Sequence, residues 1–482
     1  MKKSPKTSIK SYFGGLTYYI DHKIAKLSLE KLLFPDEVLK SAEQLVFEHG
    51  PLGQIHAQIP FLELAAPFKA LMPPRHKGGR RPHLSIEGGL GLMFLKHYLG
   101  FSDRMLVERL NTDVHLQFFC FTRIKFNDPI RDKDLVGRWR RFFGERMDIE
   151  QLQKILAQAW STKIEHPHLQ LDDATCYESE IKYPTDVKLM FDCSEWLDKQ
   201  LTQACDFCRA GRSRRDKYRA LQKRVSSFSK MKKKRHKKEK LLRQSLIYWI
   251  DKWQGELQQI LNTHPAYHRA LDKGFYQRLS TVRIVLMQQS YMLNNNVRSV
   301  PNRIVSLAKP YIRPIIRGKE KKPYEFGAKV HVTQVGGLNF IEHLSFEAFH
   351  EGIRMWRSIA KNQLRFGQRC RQYGADRIYA TNANRKRAHK LGLQTCFPAK
   401  GRPSKNAAQE SKAKAVIANA RATRLEGSFG TEKQYYGLRK IKARTQVTET
   451  AWIFFGIHTA NAVRLARALA KKAKSPPTPM AA

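Results

Sequence analysis

The sequence predicts a mixed α/β (α+β) protein: N-terminal helices, a core around one sheet, and a long helical insertion after the first core strand. Three observations carry this. HLQLDDATCYE (168–178) reads as a short strand, YEFGAKVHVTQVGGLNFI (324–341) alternates around a glycine pair, and helical periodicity fills the stretches between and beyond. Strands and helices mixed in this order suit a single sheet with helices packed on it.

Residues 1–80 form an N-terminal extension that ends in the basic, Pro/Gly-rich stretch MPPRHKGGRRPH. A helical domain is expected over 81–150. It opens with IEGGLGLMFLKHYLG, breaks at Gly100-Phe101-Ser102 and resumes as DRMLVERLNTD. Ser102 or Asp103 caps the second helix, with Met105, Leu106, Val107 and Leu110 on its buried side. Two helices joined this tightly make either a DNA-reading helix-turn-helix or a plain bundle, and the spacing leaves both open. The run Leu116-Gln-Phe-Phe-Cys-Phe belongs to a core.

The core domain is expected over 165–465, with the helical insertion at about 190–300. Within the insertion Leu242, Leu246, Trp249, Ile250, Trp253, Leu257 and Ile260 recur at helical period, the signature of one packed face. The preceding stretch 213–240, which includes Lys232, Lys233, Lys234 and Arg235, is basic and holds two acids. A one-sided charge run of that kind can contact phosphates, although such runs also serve as solvated faces. In the hairpin, Phe326, Ala328, Val330 and Val332 share a face and Gly336-Gly337 makes the turn. A helix follows, then a short strand at GADRIYAT, a basic loop with KGRPSKN, and helices from about residue 409. Residues 466–482 are expected to be a flexible tail.

With 88 Lys and Arg against 42 Asp and Glu, the formal charge is +46. Such a surface needs a polyanion, and nucleic acid is the leading candidate. No apolar run reaches the 18 to 20 residues that span a membrane, and the basic N-terminus lacks an apolar signal core, so a cytoplasmic location is expected. Seven scattered cysteines suit a reducing compartment. Cys205 and Cys208 form a CxxC with no second pair at zinc-site spacing, which favours a structural reading.

In a chain so poor in acids, three stand out: Asp173 in the first strand, Asp376 at GADRIYAT and Glu426 at RLEGSFGTEK. Carboxylates are the ligands of Mg²⁺, and paired ions promote phosphoryl transfer. The phrases DATCYESEIKYPTDVKLM, RPIIRGKEKKPYEFGAKVHV, ADRIYATNANR and LEGSFGTEKQYYGLRKI, in this order, resemble the DDE transposases of bacterial insertion sequences, closest to the insertion-sequence-5-like branch and its relatives. The likeness runs from about residue 80 to about 465. It implies a ribonuclease-H-like fold in which Asp173, Asp376 and Glu426 are catalytic and bind Mg²⁺, or Mn²⁺ in its place, as two ions. It also implies that Lys433 contacts DNA, and that the protein acts as a dimer or larger assembly on element ends and target DNA. That motif expects an arginine four residues before the Glu, where this chain has Ala422; Arg421 and Arg424 are the candidates to replace it.

Asp172, next to Asp173, points to the other face of a regular strand and reads as a supporting or structural acid. Asp186 begins a turn or helix, Glu325 sits in the hairpin near the site, and nothing marks His331 or His343 as ligands. The expected activity is binding of terminal inverted repeats, metal-dependent cleavage and strand transfer. A nuclease that cuts without joining, or a catalytically dead DNA-binding relative, would carry much the same sequence.

Overall fold

The computed structural model describes residues 35–72, 82–125, 127–212, 215–316, 323–401 and 407–474. Most of MPPRHKGGRRPH, the KGRPSKN loop beyond Gly401, residues 213 and 214 of the basic run and the last eight residues lie outside these.

The N-terminal region is α1 (Pro35–His49), α2 (Pro51–His56), α3 (Phe61–Ala70), α4 (Ile86–Leu99), α5 (Asp103–Thr112), α6 (Val114–Phe119), α7 (Leu135–Arg146) and α8 (Ile149–Trp160). Ser85 caps α4 by accepting from the Gly88 amide, and Gly100 ends the helix at φ +66°. Nearly all of α4 is buried, so it is a core element. Ser102 caps α5, whose exposed face carries the Arg104–Glu108 ion pair. Both features suit a bundle. Met105 is 45 % exposed, against the expectation that it is buried. The inward side of α5 is centred on Leu106, Val107 and Leu110, and Met105 falls just off it.

Next come β1 (Leu169–Ser179) and the insertion: α9 (Asp186–Cys208), α10 (Asp216–Lys230), α11 (His236–Thr263), α12 (Pro265–Ala270) and α13 (Lys273–Asn294). The insertion has its own hydrophobic cluster, from Val187 to Ile304. Tyr218, Trp249 and Trp253 sit at its centre, with the Tyr218 and Trp253 rings 4.2 Å apart. Asp186 begins α9 and ties the insertion's ends together by holding Gln289, Arg243 and Arg303.

The remaining elements are β2 (Pro314–Ile316), β3 (Tyr324–Val335), β4 (Leu338–Ser345), α14 (Met355–Phe366), β5 (Gln372–Gly374), α15 (Asn382–Lys390), β6 (Gln394–Thr395), α16 (Ala407–Ala420), α17 (Glu426–Tyr435), β7 (Lys440–Ile441) and α18 (Gln446–Lys474). The hairpin is as expected. β3 and β4 pair antiparallel across Gly336 and Gly337, both at positive φ, which only a glycine pair adopts freely. Glu325 pairs across to Ile315 of β2, seven residues from Val332, the residue opposite Asp173.

Two further expectations need correction. GADRIYAT is not a strand: β5 ends at Gly374, and Arg377–Tyr379 forms a 3₁₀ turn capped by the Asp376 carboxylate. That local side-chain cap closes the turn at the point where an extended strand would have to continue. The segment 466–474 is not a tail but the last turns of α18, with Ala466 buried.

The sheet has seven strands, with the path β2-β3-β1-β5-β6, β4 paired to β3 and β7 paired to β1; β1 is antiparallel to β3 and parallel to β5. This mixed five-strand order, with helices on both faces, is consistent with a ribonuclease-H-like core. One hydrophobic cluster joins α1–α8, the sheet and α18, so the helices before residue 80 share the core of the sheet. Phe455 on α18 meets Phe94 and Phe143 edge-on and locks the two ends of the chain together.

Candidate active site

β1 is paired along one edge with β3 from Gln170 to Glu178. Its other edge pairs with β5 only through Leu171 and with β7 only from Glu178. Asp173 lies in the gap between them. Asp376 follows two residues after the end of β5, so both acids line the crevice where two parallel strands diverge, the usual binding position in such sheets.

Alternation sorts the β1 side chains. Asp173, Thr175 and Tyr177 share one face, and each is met by the segment that carries Glu426. Arg421 Nη1 donates to Asp173 Oδ2 at 2.7 Å, Lys433 Nζ donates to Thr175 Oγ1 at 2.7 Å, and Glu432 takes the Tyr177 hydroxyl. The other oxygen of Glu432 accepts from Asn339 at 2.6 Å. Burial pushes the Glu432 carboxyl up to about 7, with those hydrogen bonds and Lys433 opposing.

Arg421 also reaches Glu426 Oε1 at 3.0 Å. The two residues are five apart, and Arg421–Leu425 is a π turn in which the Glu426 amide donates to the Arg421 carbonyl. A π turn stacks residues i and i+5 where an α-helix stacks i and i+4. One extra residue is thereby absorbed, and Arg421 takes the position for which regular spacing supplies Ala422. Arg424 is not in this bridge; its carbonyl accepts from Gln334. Gly374 makes room for this segment, since a Cβ there would sit 2.9 Å from Ile417 of α16.

Burial raises the Asp173 carboxyl to about 6; Arg421 and the Ala174 amide counter this, while Glu351 and Asp376 add repulsion. Asp376 is exposed and accepts from the Arg377 amide at 2.5 Å. Asp173 and Glu426 therefore meet across one guanidinium, and Asp376 stands near enough to bear on Asp173 without joining the bridge. Among the described residues no three His, Cys, Asp or Glu side chains are grouped tightly enough to hold a metal ion as they stand. The donor set is nonetheless suited to a hard divalent ion: it is all oxygen, and its two converging carboxylates already enclose a cation.

Asp172 points the opposite way and is fully buried. It accepts from Gln170 at 3.0 Å and Tyr373 at 2.9 Å, and His331 Nε2 lies 3.5 Å off, an ion-pair distance rather than a hydrogen bond. The other imidazole nitrogen meets Glu342 at 2.8 Å, and Arg354 grips Glu342 with two hydrogen bonds. Burial works against the imidazolium, yet the two carboxylates hold it up to about 9. Glu342 is held down to about 2, with its burial outweighed by His331 and Arg354. Sequence reading missed this network because its members are distant in the chain; an alternating buried strand that contains a His is the one signal it offered.

Lys232, Lys233 and Arg235 are exposed at the tip between α10 and α11, remote in sequence from the triad. Lys234 is partly engaged, donating to the last carbonyls of α10 and lying over Phe228. Cys205 and Cys208 sit in the last turns of α9, Cys205 buried, and both are free thiols. His343, on β4, packs edge-on against Phe349.

Comparison with known families finds two matches. Residues 374–459 match the family model described as Transposase DDE domain, and residues 40–142 match Transposase domain (DUF772). The first match takes in Asp376, Arg421, Glu426 and Lys433; the second begins ahead of residue 81 and covers most of α1, all of α2–α6 and most of α7. A DDE transposase domain implies a phosphodiester-cleaving enzyme that binds DNA and uses a divalent metal. No curated protein and no solved structure matches the chain. No helix among the described residues is long and apolar enough to cross a membrane.

Proposed function

We propose that this protein is a transposase of an insertion sequence, of the insertion-sequence-5-like branch or a relative, that binds terminal inverted repeats, cleaves there and joins the freed 3′ ends to target DNA. The observation that carries this reading is the Asp173–Arg421–Glu426 bridge beside Asp376, in a chain with a transposase match on either side of β1.

Asp173, Asp376 and Glu426 are the residues that would hold Mg²⁺, or Mn²⁺ in its place, with two ions in the full site. The bound metal supplies an activated attacking oxygen and stabilises the oxygen that leaves. Arg421 holds the two carboxylates together until then and is placed to turn its guanidinium to a DNA phosphate. Lys433, on the same helix, keeps its ammonium at the strand that bears Asp173 and neutralises a neighbouring phosphate. The exposed cations Lys232, Lys233 and Arg235 give the DNA a second area of contact. Two element ends must be brought together, so the working form is a dimer or larger, acting on DNA in the bacterial cytoplasm.

Incubation of the purified protein with labelled element ends and Mg²⁺ or Mn²⁺, followed by mapping of cut and joined products, tests this. Cuts at the repeat ends with joined products support it. Cuts without joining favour a nuclease that lacks strand transfer. Binding with no cut in either metal would remove the enzymatic reading.

A further inference from the structure

We propose that Glu432 is a positioning residue of the site: its buried carboxylate fixes where Glu426 and Lys433 stand against Asp173 by tying their helix, α17, to β1 and β4. This rests on the transposase reading and adds a residue that acts through the triad without touching metal or DNA.

Glu432 is 1 % exposed, although Glu426 on the same helix faces solvent. One of its oxygens takes the Tyr177 hydroxyl, and the other accepts from Asn339 Nδ2 at 2.6 Å. Tyr177 and Asp173 are two strand repeats apart on one face of β1, so the Tyr177 bond fixes α17 relative to Asp173 through paired backbone. The strand from Asp173 to Tyr177 covers about 13 Å, and the helical segment from Arg421 to Glu432 about 16 Å. The segment therefore lies along β1 and is gripped at both ends: Arg421 holds Asp173, and Glu432 holds Tyr177. Asn339 is a firm second anchor. Asn461 of α18 bonds its backbone amide at 2.9 Å and its carbonyl at 2.8 Å. The Asn339 side chain also donates to Ser428 of α17 at 2.7 Å and accepts from Gln334 of β3 at 2.8 Å.

The two grips differ in what happens when ligands arrive. Arg421 releases Asp173 once a divalent ion takes the carboxylate, and Lys433 shares its ammonium with a phosphate. Glu432 and Tyr177 are both buried, so their bond is closed to ligands and holds α17 in place throughout. Support of the fold alone does not call for a carboxylate here, because its hydrogen-bond partners are neutral and burying a charge costs stability. What the carboxylate adds is an acceptor on each side, for a hydroxyl and an amide together, which the single oxygen of a glutamine cannot present.

The double variant Tyr177→Phe/Glu432→Leu removes the polar pair and fills its place with apolar groups of similar size, an exchange that leaves stability about level. Its melting temperature in EDTA should stay within a few degrees of wild type. Mn²⁺ binding to the full-length protein without DNA, read by electron paramagnetic resonance, should weaken about tenfold or more. Cleavage at saturating element ends should slow about tenfold to a hundredfold, with affinity for those ends within a few-fold of wild type. Tyr177→Phe alone, which leaves the carboxylate in place, should show the same split to a smaller degree and carries the test if the double variant does not fold. A folded variant that binds Mn²⁺ and cuts like wild type would overturn the proposal. Losses that match the unfolded fraction would overturn it as well, since Glu432 would then only support the fold. Weaker end binding with an unchanged saturated rate would do the same. If wild type itself neither binds Mn²⁺ nor cuts, the transposase reading falls and takes this assignment with it.

Discussion

Arg421 and the two adjacent aspartates are where single residues decide the chemistry. Truncating Arg421 leaves Asp173 largely buried with no guanidinium, which by general magnitudes for charged hydrogen bonds costs about 1.5–3 kcal/mol, less whatever protonation of the carboxyl relieves. Arg421→Ala should therefore lower the melting temperature, tighten Mn²⁺ binding without DNA, and slow cleavage of element ends. Lysine at 421 should not restore cleavage, because an ammonium lacks the fork that spans two carboxylates. Tighter ion binding with unimpaired cleavage would show that Arg421 is only a placeholder. The aspartates separate in the other direction. Asp173→Cys should be inactive with Mg²⁺ and partly active with softer Mn²⁺. Asp172→Asn should instead lose stability, since His331 would keep its charge with one carboxylate fewer. Strand alternation made their opposite orientations legible in LDDATC. Arg421 was not legible, because the four-residue spacing rule assumes an α-helix and the π turn moves the contact to five.

At the scale of elements, the hairpin is the part the sequence spelled out: its period of two and its Gly-Gly turn are local signals. DRIYAT read as a strand because Ile and Tyr favour strands, and the Asp376 cap overrode that preference. What fastens the hairpin to its neighbours is His331 of β3, faced by Asp172 of β1, Glu342 of β4 and the Tyr379 ring, with Arg354 gripping Glu342. This cluster sets a pH dependence of stability. The His331 value near 9 lies above the ordinary 6.5, so its contribution is complete below about 6.5 and disappears as pH rises through about 9. Glu342, at about 2 against 4.5, contributes above about 4.5 and loses that as pH falls towards 2. Urea unfolding should therefore show wild type losing on the order of 3 kcal/mol between pH 6.5 and 9.5 from this site. His331→Gln should be less stable at pH 6.5 and show a flatter alkaline limb. Parallel limbs in the two proteins would mean the imidazole is not held charged.

Over the whole molecule, two hydrophobic clusters divide the labour. One binds the N-terminal helices, the sheet and α18 into a single core around the acidic crevice; the other belongs to the insertion. The boundaries anticipated at residues 80 and 150 follow changes in composition, whereas the packing that crosses them, such as Phe94 and Phe143 against Phe455, involves residues hundreds of positions apart. Because the insertion has its own core, its basic tip can be altered without disturbing the crevice. At the tip the proposed DNA contact can be told apart from support of the fold. Lys232, Lys233, Lys234 and Arg235 are all exposed, and Lys234 alone of the four also donates to the carbonyls of Phe228 and Ser229 at the end of α10. Replacing Lys232, Lys233 and Arg235 together with Ala should leave the melting curve unchanged and make the log–log dependence of DNA affinity on salt shallower, by about 0.9 for each phosphate no longer neutralised. Lys234→Ala alone should do the reverse, lowering stability by about 0.3–1 kcal/mol with little change in slope. Catalysis on short pre-cut ends held at saturating concentration should survive the triple change, since the triad lies on other elements. An unchanged slope in the triple variant would reduce the tip to a solvated face and move DNA binding to the rest of the +46 surface.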